Sequence, residues 1–262
     1  MRTRLDAELV RRGLARSREH GQDLIDRGLV KVGGLPATKA ATRVSDSDSI
    51  TIEELRDDFV SRGGSKLSGA LDHFPALRVE GRRCLDAGAS TGGFTDVLLR
   101  RGASKVVAVD VGYGQLAWEL QKNPKVEVHD RTNIRELTLE SIGAPAELIV
   151  ADLSFISLKT VLPSLIALGT KEADYLLMVK PQFEVGRERL GSGGVVRDAA
   201  LRVSSVHEVA ERAFELGLGS MGVVASSLPG PSGNVESFLW LKRGAPALTM
   251  EEVRIAVEKG PK

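Results

Sequence analysis

The chain has 262 residues, with 36 Lys and Arg against 35 Asp and Glu and a hydrophobic fraction of 42%. That length allows one large domain, or a large one with a small companion, and the apolar fraction supports a real core with no run near the roughly 18 residues of a membrane span. Cys84 stands alone, which excludes an internal disulfide, and Arg2, Arg4, Asp6 and Glu8 interrupt the start where a secretory leader would be apolar, so a cytoplasmic protein is expected.

The balanced charge hides an asymmetry. Residues 1–45 carry ten Lys or Arg against five Asp or Glu, so the rest of the chain is slightly acidic. In this basic stretch Leu5 and Leu9, four apart, predict a short helix over residues 5–12 stopped by Gly13. Ser17 suits the cap of a second helix that buries Leu24 and Ile25 and ends at Gly28. Val30 and Val32 flank Lys31 in a short strand turned by Gly33 and Gly34, and Ile50 and Ile52 supply another. So small a unit has a marginal core of its own.

From Asp46 to Asp58 six carboxylates are opposed only by Arg56, which marks a boundary. In the following FVSRGGSKL, Gly63 and Gly64 are expected to form a flexible joint, and Lys66 to open a helix carrying Leu67, Ala70, Leu71 and Phe74. The expected division is residues 1–58, a linker over 59–65, and a large domain over 66–262.

The large domain opens on CLDAGASTGGFTDVLLRRGASKVVAVD, residues 84–110. A strand at Leu85, a glycine turn, a helix over Phe94 to Leu99 and a second strand over Val106 to Val109 make a βαβ unit of nucleotide-binding type. Gly88, Gly92 and Gly93 let the backbone turn sharply and approach a ligand, and Asp110 closes the second strand where a ribose hydroxyl would be gripped. A dinucleotide site would place glycine at position 90 to admit a pyrophosphate, and Ser90 stands there instead. The pattern therefore favours S-adenosylmethionine. Asp86, Gly88, Ser90, Gly92, Gly93 and Phe94, with Asp110, Asp130 and Asp152, are the candidate cofactor contacts; Asp130 reads equally well as a turn-initiating Asp before Arg131 and Thr132.

Further on, a short helix at Trp118 and Leu120, strands at Val126 and Val128, Leu148 to Ala151 and Tyr175 to Val179, and helices over Leu158 to Leu168 and Ala199 to Leu216 alternate. Val223 to Ser226 and Phe238 to Leu241 complete them as an antiparallel pair. The expected fold is α/β: a Rossmann-like, doubly wound, mostly parallel sheet with a C-terminal antiparallel hairpin, preceded by a small α+β domain. Ligands of such sheets bind at the carboxyl ends of the strands. There Asp152 and Lys180 follow two strands, Glu236 precedes the last, and Lys66 leads into the sheet.

A hydroxyl is a poor nucleophile near neutral pH, so methyl transfer to it needs the proton removed or the oxygen stabilised. A lysine acts as base when burial or a neighbouring cation favours its neutral form. Lys180 as base, Lys66 as second cation, Asp152 orienting Lys180 and Glu236 holding Lys66 or a ribose hydroxyl form one candidate catalytic set. No metal is called for, since His and Cys show no ligand spacing. The Asp152-Leu-Ser-Phe155 stretch lacks the two prolines typical of enzymes that methylate base amines, which makes that chemistry the weaker reading.

The stretch RLDAELVRRGLARSREHGQDLIDRGLVKVGG resembles the S4 RNA-binding domain. The resemblance implies RNA-facing roles for Arg4, Arg16, Arg18 and Lys31, whose phosphate contacts would give affinity and register. The order Lys66, Asp152, Lys180, Glu236 resembles the tetrad of FtsJ-like 2′-O-ribose methyltransferases. With SRGGSKL, VDVGYGQL, ADLSFISL, VKPQFEVG, GGVVRD and LPGPSGNVE, the chain is similar end to end to the TlyA family. That resemblance implies S-adenosylmethionine-dependent methylation of cytidine 2′-hydroxyls in ribosomal RNA of the large subunit and also of the small one, associated with susceptibility to capreomycin- and viomycin-type antibiotics. A monomer without membrane or metal partners is expected. Two other readings are a non-catalytic RNA-binding or ribosome-assembly protein on a methyltransferase scaffold, and a membrane-active haemolysin, after an old family label.

Overall fold

The computed structural model describes residues 2–15, 17–26, 28–52, 59–230 and 232–260, the side chains of Arg187 and Ser192 excepted. It divides into two compact units, Met1–Asp58 and Phe59–Lys262.

In the N-terminal unit β1 (Thr3–Arg4) runs into α1 (Leu5–Arg11), followed by α2 (Arg18–Asp26), β2 (Val30–Val32), β3 (Leu35–Pro36), β4 (Arg43–Val44) and β5 (Ile50–Ile52). Ser17 Oγ accepts from His20 N at 3.1 Å, which satisfies one of the amides that the first turn of α2 leaves unpaired. β2 pairs with β3 and β5, and β1 with β4. Leu5, Leu9, Leu24, Ile25, Val30 and Val44 make the core, so the apolar faces expected of both helices are the buried ones.

The larger unit runs α3 (Arg62–His73), β6 (Arg83–Ala87), α4 (Gly93–Arg100), β7 (Lys105–Val109), α5 (Trp118–Gln121), β8 (Val126–His129), α6 (Leu139–Ile142), β9 (Ala146–Ala151), α7 (Leu158–Leu168), β10 (Gly169–Val179), α8 (Pro181–Glu184), α9 (Ala199–Glu215), β11 (Leu218–Ala225), β12 (Ser237–Arg243) and α10 (Met250–Glu258). Its sheet has the order β11-β12-β10-β9-β6-β7-β8, parallel from β10 to β8, with β12 antiparallel to both β10 and β11.

Strand alternation sends successive side chains to opposite faces. Leu85, Val107, Ile149, Leu177 and Leu239 pack under α7, α9 and α10, whereas Cys84, Val106, Leu148, Leu176 and Phe238 pack under α3 and α4. Both faces are therefore covered, and each fully buried leucine contributes roughly 1.5–3 kcal/mol. Cys84 lies in the second layer, where burial pushes its thiol up to about 12 and leaves it unreactive.

The stretch expected as a flexible joint is part of this unit. α3 starts at Arg62, so Gly63 and Gly64 are helical and Lys66 sits one turn inside the helix. Phe59 packs on the α3 and α4 layer. A Cβ on Gly93 would lie 2.7 Å from Gly64 N, so these glycines let α3 and α4 approach closely. The residues are small for packing, not for freedom.

Candidate active site

The carboxyl ends of β6, β7, β8 and β9 are tied together by their backbones. Gly88 N and Ala89 N donate to Val109 O, Asp110 N donates to His129 O, and Asp152 N donates to Ala87 O. Gly88 has φ of +85°, and a Cβ there would lie 2.6 Å from Asp152 O, so what crowds this glycine is the end of β9. The turn thus brings its own strand end against Asp152.

Asp110 Oδ2 accepts from Ser90 N at 2.8 Å and Oδ1 from Gly112 N at 2.7 Å. Ser90 holds φ of +47° and is exposed. Asp130 Oδ2 accepts from Gly114 N at 2.9 Å. The two acids expected at the cofactor therefore fix the loop that follows β7 while their carboxylates stay partly exposed.

Two of the candidate contacts are placed differently. Asp86 lies within β6 and is fully buried; its Oδ2 accepts from Thr95 Oγ1 at 2.7 Å, and its Oδ1 has no hydrogen-bond partner among the described residues. Burial, with a smaller push from Asp152, raises its carboxyl to about 7. It supports the turn from below instead of facing a ligand at the surface. Phe94 is buried in the core, its ring 5.9 Å from that of Phe238, because the first turn of α4 points it at α3 and the sheet.

The four candidate catalytic residues converge on one cleft of about 750 Å³. Lys66 Nζ meets Glu236 Oε2 at 2.5 Å, and Glu236 is only 1% exposed. Lys180 Nζ lies 2.5 Å from Asp152 Oδ1 and donates to Ser154 Oγ at 3.0 Å. Each ammonium has its own carboxylate, so the charge balances pair by pair. The Lys66 pair is sealed, and the Lys180 pair opens to the cleft through a partly exposed Asp152.

The cleft also holds residues that sequence reasoning passed over. Phe155, 91% exposed, has φ of +63° and its ring centroid lies 5.3 Å from that of Phe183. Ser154, Phe183 and Asn234 line the same space. Their signal was position: Ser154 and Phe155 directly follow the strand end that carries Asp152, and Phe183 follows the one that carries Lys180.

In the N-terminal unit, Arg4 donates to both oxygens of the buried Asp6 at 3.0 and 3.1 Å, and Arg18 donates to Asp6 Oδ2 at 2.8 Å. One carboxylate thereby holds two partly exposed guanidiniums side by side. Lys31 lies at the centre of β2, and Arg16 falls outside the described residues.

This sheet order, with a glycine turn and a charged cleft at the carboxyl ends, defines a Rossmann-like methyltransferase, and residues 59–243 match the FtsJ-like methyltransferase family while residues 3–50 match the S4 domain. The sequence is 58% identical to the 16S/23S rRNA (cytidine-2′-O)-methyltransferase TlyA of Mycobacterium tuberculosis, over 99% of both chains. It is 35% identical to the 23S rRNA (cytidine-2′-O)-methyltransferase TlyA of Campylobacter jejuni, over 74% of this chain and 75% of that one. A solved structure from Streptococcus thermophilus that carries a hemolysin name matches with a TM-score of 0.79 at 33% identity, covering 98% of this chain and 95% of the other. The chain belongs to the TlyA family, in which an S4 domain precedes an FtsJ-like methyltransferase domain. Among the described residues no helix is long and apolar enough to cross a membrane.

Proposed function

We propose that this protein transfers a methyl group from S-adenosylmethionine to the ribose 2′-hydroxyl of a cytidine in ribosomal RNA, of the large subunit and also of the small. The observation that carries the reading is the open Lys180–Asp152 pair, set beside the glycine turn with the closed Lys66–Glu236 pair behind it. The relatives named for cytidine 2′-O-methylation support the choice of atom and of RNA.

The donor set at the turn fits the cofactor. Asp110, Asp130 and Asp152 surround it with partly exposed carboxyl groups, which suit a cationic ligand bearing a ribose diol and no phosphate, and Asp86 supports the turn from beneath. When bound, S-adenosylmethionine supplies an electrophilic methyl on a positively charged sulfur. Asp110 would hold the ribose, the loop fixed by Asp130 would meet the adenine end, and Asp152 would sit between cofactor and Lys180.

On the RNA side, the Lys180 ammonium first releases its own proton to solvent, and the neutral amine then takes the proton of the 2′-hydroxyl as the oxygen attacks. Its ion pair with Asp152 is the arrangement in which that proton comes to rest, and Ser154 helps fix the direction of Nζ. Lys66 and Glu236, dry and mutually neutralised, form the rigid wall that keeps the reacting oxygen in line, and positioning of this kind contributes on the order of 7 kcal/mol or more to a displacement. Arg4, Arg18 and Lys31, with Arg16, bind RNA phosphates through the N-terminal unit.

The test is transfer of labelled methyl to isolated small and large ribosomal subunits, followed by alkaline hydrolysis of the RNA. A 2′-O-methyl blocks cleavage at its own phosphodiester, so the label is expected in alkali-resistant dinucleotides. Label in ordinary mononucleotides would mean base methylation, and no label on either subunit would leave a scaffold protein.

A further inference from the structure

A fifth charged group stands behind the cleft. Glu184 ends α8, the single turn after Lys180, and is 7% exposed. Its Oε1 accepts from Leu158 N at 2.8 Å and its Oε2 accepts from Ser157 Oγ. Ser157 is the N-cap of α7, its Oγ accepting in turn from Lys159 N at 3.2 Å. Glu184 therefore closes the start of a helix to which it does not belong, where unpaired amides and the positive helix end favour a carboxylate.

Two segments are joined rung by rung as a result. Asp152 and Ser154 both meet Lys180, the Phe155 ring meets the Phe183 ring, and Ser157 and Leu158 meet Glu184. The first rung is the reacting pair with its hydroxyl partner. The second is strained: Phe155 holds a left-handed φ, which at a bulky residue persists only where neighbours over-determine it. Phe155 is too exposed to anchor itself, so the fixed point of the loop is the last rung.

We propose that Glu184 is a positioning residue for methyl transfer: by fastening the start of α7 to α8 it fixes the loop carrying Asp152 and Ser154 against the segment carrying Lys180. This rests on the reading of Lys180 given above. Glu184 touches neither substrate nor Lys180; it acts through the register of the two segments. A carboxylate that merely capped a helix would alter stability and leave the turnover of the folded enzyme alone.

The experiment compares kcat and KM for ribosomal subunits in the full-length wild type, Glu184→Ala and Glu184→Gln, below the melting temperature of each. Glu184→Ala is expected to lose about tenfold or more in kcat with KM for RNA little changed, as a small misplacement of reacting groups does. Glu184→Gln, whose carbonyl accepts from Leu158 N and whose amide donates to Ser157 Oγ, is expected to recover most of that rate. A folded Glu184→Ala enzyme with wild-type kcat overturns the proposal. Should Glu184→Ala fail to fold, Ser157→Ala decides: a loss of about threefold or more in kcat supports the positioning role, and unchanged kcat overturns it. Absence of transfer by the wild type itself would instead overturn the reading of Lys180.

Discussion

Asp6 and Glu8 of the N-terminal unit and Asp86 and Glu184 of the larger one are all buried acids, but their partners differ in kind. Arg4 and then Arg18 bond Asp6, Arg11 and Arg12 bond Glu8, and these guanidiniums hold both carboxyls down to about 2. Asp86 and Glu184 face hydroxyls and backbone amides, and burial pushes Asp86 up to about 7 and Glu184 above the usual carboxylate range. The small unit has a thin core and uses its acids to hold outward-facing cations in place. The large unit has two apolar layers and carries acids that burial makes harder to ionise.

Under that division, binding and turnover separate by unit. Lys180→Ala is expected to lower kcat by about 10²–10⁴-fold, the usual range for a positioned proton acceptor, while affinity for ribosomal RNA stays near wild type. Full activity in this variant would remove the assigned base. Glu236→Ala tests the closed pair: it strands a buried ammonium, so unfolding of the large unit in urea should cost about 3–5 kcal/mol less than in wild type. An unchanged midpoint would mean that Lys66 reaches water when its partner is gone.

On the other side of the comparison, replacing Arg4 and Arg18 together by Ala should weaken RNA binding and reduce the salt slope by about one for each phosphate no longer neutralised, while kcat at saturating RNA is kept. The same slope in wild type and variant would take these two guanidiniums off the RNA. A fall in kcat at saturating RNA would show that the units are not separable.

Much of this is legible in the sequence because the relevant patterns are local. The glycine turn, the helix over residues 158–168, the alternation of strands and the strand-end positions of Asp152 and Lys180 all follow from short-range periodicity. α6 and α8 are single four-residue turns, too short for any period to show, and Glu184 draws no attention because its partner lies 26 residues away. The glycines of the motif read as room for a ligand, whereas Gly88 is crowded by Asp152 and Gly93 by α3; a sequence shows that space is needed, not what fills it. Asp86 and Phe94 lie buried under the turn, a placement the motif does not show, since a motif residue can serve a site from beneath.

The pH dependence of stability divides the two sets of acids most directly. Asp6, lowered from 3.8 to about 2, and Glu8, lowered from 4.5 to about 2, contribute stability that is present above the unfolded values and lost as pH falls through that interval. Asp86, raised from 3.8 to about 7, behaves oppositely: the native protein retains a proton that the unfolded chain has released, so its contribution is full below the unfolded value and is lost as pH rises toward about 7. Asp86→Asn removes this titration and keeps an oxygen for Thr95 Oγ1. The Tm of the wild type should therefore fall relative to that of Asp86→Asn as pH rises from about 4 to about 7, and the two should run parallel above that range. Parallel profiles throughout would place the Asp86 carboxylate with a cationic or hydrated partner, and the contrast between the units would then rest on Glu184 alone.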